Sequence, residues 1–392
     1  MIAAFAFAAT PHIHFGQGSA SKLPELAAAY GHNILLVTGN RSFDDSPACQ
    51  RLLAQMQATL SCERYIVSGE PSPKVIDAAV QQFSGQGFDC VVAIGGGSVV
   101  DAGKAIAGLL QGQGSILDFL EGIGSAVYAG STMPWIAMPT TAGTGSETSK
   151  NAVISDVRAD GFKKSFRHAS LVASHIILDP ELTLSCPPEV TAACGMDALT
   201  QLLESYVSKK SNPMTEALAW SGLVRIRQAL PAAFADGDDI AARSDMLYAA
   251  SMSGLTLANA GLGSVHGLAS PLGAFYTIPH GLVCGTMVAE ACRINIDAMK
   301  AREPANPALA AYARVGRLLS QNQGLNDEQA HTALIQQLDE WIAVMAIPKL
   351  ASFGVHSSEI PLIRAHISGG SMGTNPIVLS DDEIACLLRA RI

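Results

Sequence analysis

The sequence has few charged residues and no cluster of positively charged ones. Only 15% of the 392 residues are charged, and 34 Asp and Glu outnumber 25 Lys and Arg, which gives a net charge of −9. Proteins that bind nucleic acid or anionic membranes usually carry basic patches or Lys/Arg runs. The composition therefore argues against both as main partners, and 48% hydrophobic residues in a chain of this length predict a globular protein of two or three domains.

The chain also lacks paired cysteines. Its eight cysteines are scattered, and no Cys-x-x-Cys motif occurs. A disulfide framework is typical of small secreted chains, and zinc ribbons need closely spaced cysteine pairs. We therefore predict reduced thiols and a cytoplasmic location.

No hydrophobic run is long enough to span a membrane. The most apolar stretch, Met246–Leu262, is interrupted by Ser, Gly and Asn, and we predict a buried helix there. The segment Met1–Thr10 is apolar but has no basic residues, and His12–Phe15 has the pattern of a strand. We therefore predict neither a signal peptide nor a membrane anchor.

The first half of the chain alternates between strand and helix patterns. Short runs rich in β-branched residues are separated by helical stretches such as Ser46–Ala58 and Pro73–Phe83. This alternation is typical of a parallel sheet that is covered on both faces. The predicted strands are Ile34–Val37, Tyr65–Val67, Cys90–Ile94, Trp135–Met138 and Ile176–Leu178.

From Pro187 onwards, helical patterns replace the strands. Ser185 is predicted to cap the first helix, with prolines in its first turn. The predicted helices are Glu189–Ser208, Met214–Leu230, Ile240–Ala260, Ala308–Leu319 and Asp327–Met345. We therefore predict an α/β domain with a parallel, Rossmann-like sheet over residues 1–184 and an all-helical domain over residues 185–392.

Two polar, glycine-containing turns follow predicted strands. Gly95–Ser98 leads from the strand at Cys90–Ile94 into a helix, where converging N–H groups and missing side chains would let a diphosphate approach. Pro139–Thr148 follows the strand at Trp135–Met138. Taken alone, the first turn is equally explained as a plain strand–turn–helix connection, and the second as a solvated loop. Together, after strands of one parallel sheet, they favour a dinucleotide site.

The turn after Ile34–Val37 bears on the choice between NAD and NADP. Enzymes that prefer NAD often carry an acidic residue here, which binds the ribose hydroxyls. This turn has Gly39 instead, followed by Arg41 and Ser42. Without an acidic residue, nothing here repels the 2′-phosphate of NADP, and Arg41 is a cation close enough to attract it. Arg41 is equally consistent with a solvated surface residue.

Four residues of the helical half form a plausible metal-ligand set. Asp197 and Gln201 are four residues apart in a helical pattern and share a face, and a buried carboxylate needs a partner charge or a metal. His266 and His280 lie in apolar, glycine-rich segments. A lone buried histidine is more often a hydrogen-bonded core residue. A carboxylate, an amide oxygen and two imidazoles together suit Fe(II) or Zn(II).

These segments together resemble the iron-containing (group III) alcohol dehydrogenase family, in order and over nearly the whole chain. The resemblance implies a dehydroquinate synthase-like architecture with an interdomain cleft, and NAD(P)-linked interconversion of a small alcohol and an aldehyde or ketone. Relatives are often homodimers. The residues that carry the resemblance are Gly95–Ser98, Asp101, Lys104, Pro139–Glu147, Asp179–Pro180, Gly195–Thr200, Pro271–Phe275, Pro279–Gly281, Asn375–Pro376 and Leu379–Glu383.

The resemblance also implies roles for particular residues. Asp197, His266 and His280 would form the catalytic metal site, with Gln201 as a further ligand of Fe(II) or Zn(II). The implied contacts to the dinucleotide are Gly39, Ser42, Gly96, Gly97, Ser98, Asp101, Thr140, Thr141, Thr144, Ser146, Lys163 and Leu182.

The sequence departs from the family pattern at two positions. Gln201 replaces a histidine, and its amide oxygen is a weaker ligand than imidazole. Ser270 replaces a histidine that helps to relay a proton in relatives, and a serine hydroxyl has no suitable pKa for that role. A water chain or the cofactor ribose would then carry the proton. One branch of the family is similar to this chain in having the glutamine.

Other functions remain open on the same scaffold. A maleylacetate reductase or a glycerol dehydrogenase is similar, and the Gly-Met-Asp-Ala-Leu-Thr segment at 195–200 favours the alcohol dehydrogenase branch. A dehydroquinate synthase-like lyase would need more cationic pocket residues than this sequence offers. Loss of the metal through the changes at Gln201 and Ser270 would leave a non-enzymatic nucleotide-binding protein.

Overall fold

Six strands form one parallel sheet in the first part of the chain, as predicted. The protein is described by a computed structural model over residues 2–367 and 369–392. Its strands are β1 (His12–Phe15), β2 (Asn33–Thr38), β3 (Ser61–Ile66), β4 (Cys90–Gly95), β5 (Trp135–Pro139), β6 (Asn151–Asp156), β7 (Phe162–Arg167) and β8 (His175–Leu178). The parallel order is β1-β8-β5-β4-β2-β3, and β6 and β7 form a separate antiparallel hairpin that the sequence analysis missed.

Helices cover both faces of this sheet. Leu35 and Val37 of β2 belong to one hydrophobic cluster, whereas Ile34 and Leu36 belong to another. Since successive strand residues point to opposite faces, both faces are buried, which explains the nearly continuous hydrophobic runs. The helices of this part are α1 (Leu23–Ala28), α2 (Arg41–Asp44), α3 (Pro47–Gln57), α4 (Pro73–Phe83) and α5 (Gly97–Leu109).

The second part of the chain is helical. Its helices are α6 (Pro188–Val207), α7 (Pro213–Ala235), α8 (Ile240–Ala260), α9 (Ser264–Phe275), α10 (His280–Arg302), α11 (Pro307–Leu319), α12 (Asp327–Val344), α13 (Ile360–Ala365), α14 (Gly369–Met372) and α15 (Asp381–Arg391). Short 3₁₀ helices occur at Ser19–Lys22, Ile116–Phe119, Ser146–Thr148, Ala169–Leu171, Pro180–Thr183, Leu350–Phe353 and Ser357–Glu359. Within residues 2–367 and 369–392, none of the helices has the length and apolar character needed to cross a bilayer.

The start of α6 differs from the prediction. Pro187, in an extended conformation, stands at the N-cap, and no side chain caps the helix, so the predicted cap at Ser185 is wrong. The residue before a proline is disfavoured in the helical region, and Pro187 precedes Pro188. The helix therefore begins only at Pro188.

The turn after β5 packs directly against α8 of the helical part. Gly254 lies within α8, and a Cβ atom there would be 2.1 Å from the carbonyl oxygen of Gly145. Gly145 itself has a φ of 61°, in the left-handed region that favours glycine. These two glycines allow the backbones to meet, so the helical part adjoins the carboxyl ends of the sheet strands.

Candidate active site and metal centre

The two turns predicted to bind a dinucleotide lie side by side. The amide of Thr140 donates to the carbonyl oxygen of Gly95 at 2.9 Å. A Cβ atom at Gly97, the first residue of α5, would lie 2.5 Å from Cγ2 of Thr144. The first N–H groups of a helix have no acceptor within it, so the two turns form a cradle that fits a diphosphate. Its half-buried residues are Gly96, Gly97, Ser98, Thr140, Thr141 and Thr144.

Asp101 and Ser146 lie in a buried polar network beside this cradle. The Ser146 hydroxyl donates to Oδ1 of Asp101, and the Val153 amide donates to Oδ2 at 3.0 Å. The fully buried Lys104 donates to the carbonyl oxygens of Ser146 at 2.8 Å and Asn151 at 2.6 Å. Burial raises the pKa of Asp101 and lowers the pKa of Lys104. The network holds the turn after β5 and the β6–β7 hairpin against α5.

A cation that the sequence analysis missed reaches the turn after β2. Gly39 is buried, whereas Arg41 and Ser42 are exposed at the start of α2. Arg64 of β3 donates to the carbonyl oxygen of Gly39 at 2.9 Å and pairs with Asp44 at 2.7 Å. Since β3 runs beside β2, its arginine reaches this turn from the neighbouring strand.

Lys163 and Leu182 lie outside the cradle. Lys163, on β7, donates to both carboxylate oxygens of Glu70 at 2.7 and 2.9 Å. Burial alone would raise the pKa of Glu70, but this lysine lowers it below the ordinary value. The Ser270 hydroxyl donates to the carbonyl oxygen of Lys163 at 3.1 Å. Leu182 is buried in the cluster on one face of the sheet.

Three of the predicted metal ligands meet in the helical part. Asp197 comes from α6, His266 from α9 and His280 from the first turn of α10. Nε2 of His266 lies 3.2 Å from Oδ1 of Asp197, and Nε2 of His280 lies 3.8 Å from the same oxygen. Residues distant in sequence therefore converge on one point.

The pKa values of Asp197 and His280 keep both side chains in the deprotonated form that binds a metal. Burial would raise the pKa of Asp197, but His280 and His266 lower it to about 2. Burial lowers the pKa of His280 to about 4. Carboxylate and neutral imidazole are the forms that bind metals. Burial opposes protonation of His266, yet Cys284 and Asp197 raise its pKa well above the ordinary value, so a cation would compete with that proton.

Glu204 supports His266 from the side away from Asp197. Its Oε2 lies 2.7 Å from Nδ1 of His266, and its Oε1 accepts from the Val265 amide at 2.7 Å. Metal-binding histidines usually donate their second N–H to a carboxylate in this way. The sequence analysis missed Glu204, although it lies seven residues after Asp197 and thus on the same face of α6.

Gln201 follows Asp197 by one turn of α6, and Cys284 lies next to the two imidazoles. Oε1 of Gln201 accepts from the Ser253 hydroxyl at 2.8 Å. Sγ of Cys284 lies 3.5 Å from Nε2 of His266 and 3.8 Å from Nε2 of His280. The sequence analysis missed Cys284, although its spacing of four from His280 places both on one helical face. The residues with ligand atoms within 4.8 Å of one another are Asp197, His266, His280 and Cys284.

This donor set fits a divalent metal ion. Tetrahedral metal–ligand bonds of about 2.0–2.3 Å place neighbouring ligand atoms roughly 3.3–3.5 Å apart. Four of the separations run from 3.2 to 3.8 Å, and all of them are within 4.8 Å. Nδ1 of His280 is buried and has no hydrogen-bond partner among the residues that the structure describes. Carboxylate and imidazole ligands suit Fe(II) and Zn(II).

A parallel α/β sheet followed by a helical part with clustered candidate metal ligands is consistent with the dehydroquinate synthase-like class of proteins. The family profile described as iron-containing alcohol dehydrogenase matches residues 10–180. The profile of the C-terminal region of the Fe-containing alcohol dehydrogenase family matches residues 191–392. The chain therefore belongs to the iron-containing alcohol dehydrogenase family, which confirms the resemblance seen in the sequence.

Individual relatives agree with this assignment. Alcohol dehydrogenase 4 from Saccharomyces cerevisiae is 32% identical, and the match covers 82% of this chain and 81% of the yeast protein. The NAD-dependent methanol dehydrogenase of Bacillus methanolicus is 33% identical with the same coverage, 82% and 81%. The structure of sulfoacetaldehyde reductase from Bifidobacterium kashiwanohense in complex with NAD+ is 28% identical with a TM-score of 0.86, and the match covers 99% of each chain.

Proposed function

We propose that this protein is an NAD(P)- and metal-dependent alcohol dehydrogenase or aldehyde reductase. It transfers a hydride between a nicotinamide and a small alcohol or carbonyl substrate. The observation that carries this proposal is the convergence of Asp197, His266 and His280, whose ligand atoms lie within 4.8 Å of one another. The cradle at Gly97 and Thr144 supports a dinucleotide as the second component.

The residues of the site and the groups bound there have separate roles. When bound, the cation supplies a Lewis acid for the substrate oxygen, and the nicotinamide supplies the hydride chemistry. Asp197 and the two imidazoles hold the cation, and Glu204 orients His266. Asp197 is 1% exposed and His266 8% exposed, so the protein keeps water away from these two ligands and strengthens their electrostatic interactions.

Proton transfer takes place without a side-chain base at Ser270. Its hydroxyl donates to a main-chain carbonyl oxygen and has no suitable pKa for a base near neutral pH. We infer that the alcohol proton leaves through water or the cofactor ribose.

We infer a preference for NADP over NAD. Gly39 leaves room and no negative charge where an NAD-binding acid would lie. Arg41 follows it in sequence, and Arg64 bonds to its carbonyl oxygen. Two of the relatives named above use or bind NAD by their names. Comparison of kcat/KM for NADPH and NADH tests the preference.

We further propose a cytoplasmic homodimer. All eight cysteines are unpaired. β1 forms one edge of the sheet, and Ile13 and Phe15 on it are 43% and 44% exposed. An exposed edge strand is suited to pairing with a second copy. Light scattering coupled to size-exclusion chromatography should give the mass of two chains, and the mass of one chain would contradict the dimer.

Metal analysis and a coupled assay test the central proposal. Protein purified without chelator should contain about one divalent ion per chain and should oxidise NADPH with short aldehydes. The Asp197→Ala variant should lose both properties while its circular dichroism stays unchanged. If that variant keeps its metal and its rate, the ligand assignment is wrong. Wild-type protein without metal or turnover would favour the non-enzymatic nucleotide-binding alternative.

A further inference from the structure

We infer that Cys284 is the fourth protein ligand of the metal, in the role that Gln201 would otherwise fill. The inference rests on the proposed function in one respect, since it requires a cation between Asp197, His266 and His280. It concerns which side chain completes the protein's own ligands, to which the substrate oxygen would add as a fifth, and thereby which metal the site prefers.

The position of the thiol relative to both imidazoles carries the argument. Sγ of Cys284 lies 3.5 Å from Nε2 of His266 and 3.8 Å from Nε2 of His280. A sulfur and a nitrogen that bind one tetrahedral ion through bonds of about 2.3 and 2.0 Å are roughly 3.5 Å apart. The separation from His266 matches the distance that a shared ion requires, and the separation from His280 is slightly longer.

Close packing of α10 against α6 brings the thiol there. A Cβ atom at Gly281 would lie 2.2 Å from the carbonyl oxygen of Ala193, and one at Gly285 would lie 3.0 Å from Cβ of Met196. The two glycines are four residues apart, so they line one face of α10 and let its backbone approach α6 just before Asp197. Cys284 precedes the second of these glycines and is fully buried.

The surroundings of Gln201 favour a different role for its amide. Oε1 accepts a hydrogen bond from Ser253 on α8 at 2.8 Å, which holds the side chain against that helix. An amide oxygen is a neutral donor, whereas a thiolate carries a charge and is the softer ligand that zinc accepts readily. A set of one carboxylate, two imidazoles and one thiolate thus favours Zn(II) over Fe(II).

Binding of the Cys284 thiol to the metal breaks one bond and forms another, and no atom changes its oxidation state. Cys284 is a buried, unpaired thiol. A metal ion deprotonates a coordinating thiol outright. The S–H bond breaks, the S–metal bond forms and the proton passes to the solvent.

Spectroscopy of the metal-loaded full-length protein tests the inference directly. X-ray absorption of the zinc-loaded wild type should show one sulfur at about 2.3 Å. Cobalt-loaded protein should show a near-ultraviolet thiolate-to-cobalt band, which Cys284→Ser should abolish while zinc affinity falls at least about tenfold. Cys292→Ser is the matched control, because Cys292 is a buried cysteine two turns further along α10, and it should keep both properties.

Each result separates this inference from the proposed function. Gln201→Ala should retain the cobalt band and the zinc affinity. A wild type that binds zinc and turns over substrate, but shows only nitrogen and oxygen neighbours, would overturn the role of Cys284 and leave the proposed function intact. Loss of zinc in Gln201→Ala but not in Cys284→Ser would also overturn the role of Cys284 and leave the proposed function intact. A wild type that binds no divalent metal, iron included, would refute both. The wild-type spectrum decides the question even if Cys284→Ser fails to fold.

Discussion

Nδ1 of His266 lies 2.7 Å from Oε2 of Glu204, and both side chains are buried. This contact determines which imidazole nitrogen faces Asp197. We expect Glu204→Gln to weaken zinc binding about 10- to 100-fold, because an amide no longer fixes the tautomer of His266 as a carboxylate does. Competition with a chromophoric chelator measures the affinity. Glu216→Gln, at an exposed position on α7, should have no effect, and equal affinities of Glu204→Gln and wild type would contradict the expectation.

Gly39→Asp should shift the coenzyme preference from NADPH towards NADH. The new carboxylate would repel the 2′-phosphate and accept hydrogen bonds from the ribose hydroxyls of NADH. A Cβ atom at Gly39 would lie 2.7 Å from the hydroxyl of Ser42, an exposed side chain that can rotate away. The ratio of kcat/KM for the two coenzymes should change by about tenfold or more. Gly39→Asn, of equal size but neutral, is the control, and a wild type that prefers NADH would contradict the proposed preference.

Gly254→Ala should destabilise the contact between the sheet and the helical part. Its methyl group would lie 2.1 Å from the carbonyl oxygen of Gly145, so the turn after β5 must move away from α8. We expect a loss of about 1–3 kcal/mol in the free energy of unfolding, together with weaker coenzyme binding. Urea unfolding and coenzyme titration measure these two effects. Gly112→Ala, with its nearest atom at 3.5 Å, should be nearly neutral, and a stable Gly254→Ala would show that the contact is unimportant.

Glu147 should make stability depend on pH. It is 2% exposed, and burial raises its pKa from 4.5 to about 7. The native state then holds the proton more tightly than the unfolded chain, so the contribution of this group to stability is complete below about pH 4.5 and is lost as the pH rises to about 7. The free energy of unfolding of Glu147→Gln, measured in urea, should therefore increase relative to that of the wild type as the pH rises across this interval. A pH-independent difference would contradict the assignment.

Local sequence patterns predicted the regular elements best. Cys90–Ile94 became β4 because its β-branched residues fill both faces of the sheet, and α8 has the predicted bounds Ile240–Ala260. The β6–β7 hairpin was missed because Phe162–Arg167 carries three cations and has no hydrophobic run. α9 was missed because it contains Pro271 and three glycines flank or enter its first turn. Packing overrides propensity there.

The candidate site was predictable only in part. Asp197, His266 and His280 were found because their residue types and their resemblance to a family pointed to one metal. Helical spacing places Glu204 on the face of Asp197 and Cys284 on the face of His280. Both were missed because spacing alone does not show which residues of a face reach the cluster, which depends on how α10 and α9 pack on α6.

The donor atoms of Asp197, His266, His280 and Cys284 belong to three separate helices, α6, α9 and α10. A cation bound by all four would therefore cross-link the three helices in addition to its chemical role. The unfolded chain has no comparable binding site for it. Its binding energy adds to the folding free energy. Metal starvation would thus shorten the lifetime of the protein against proteolysis in addition to silencing its chemistry.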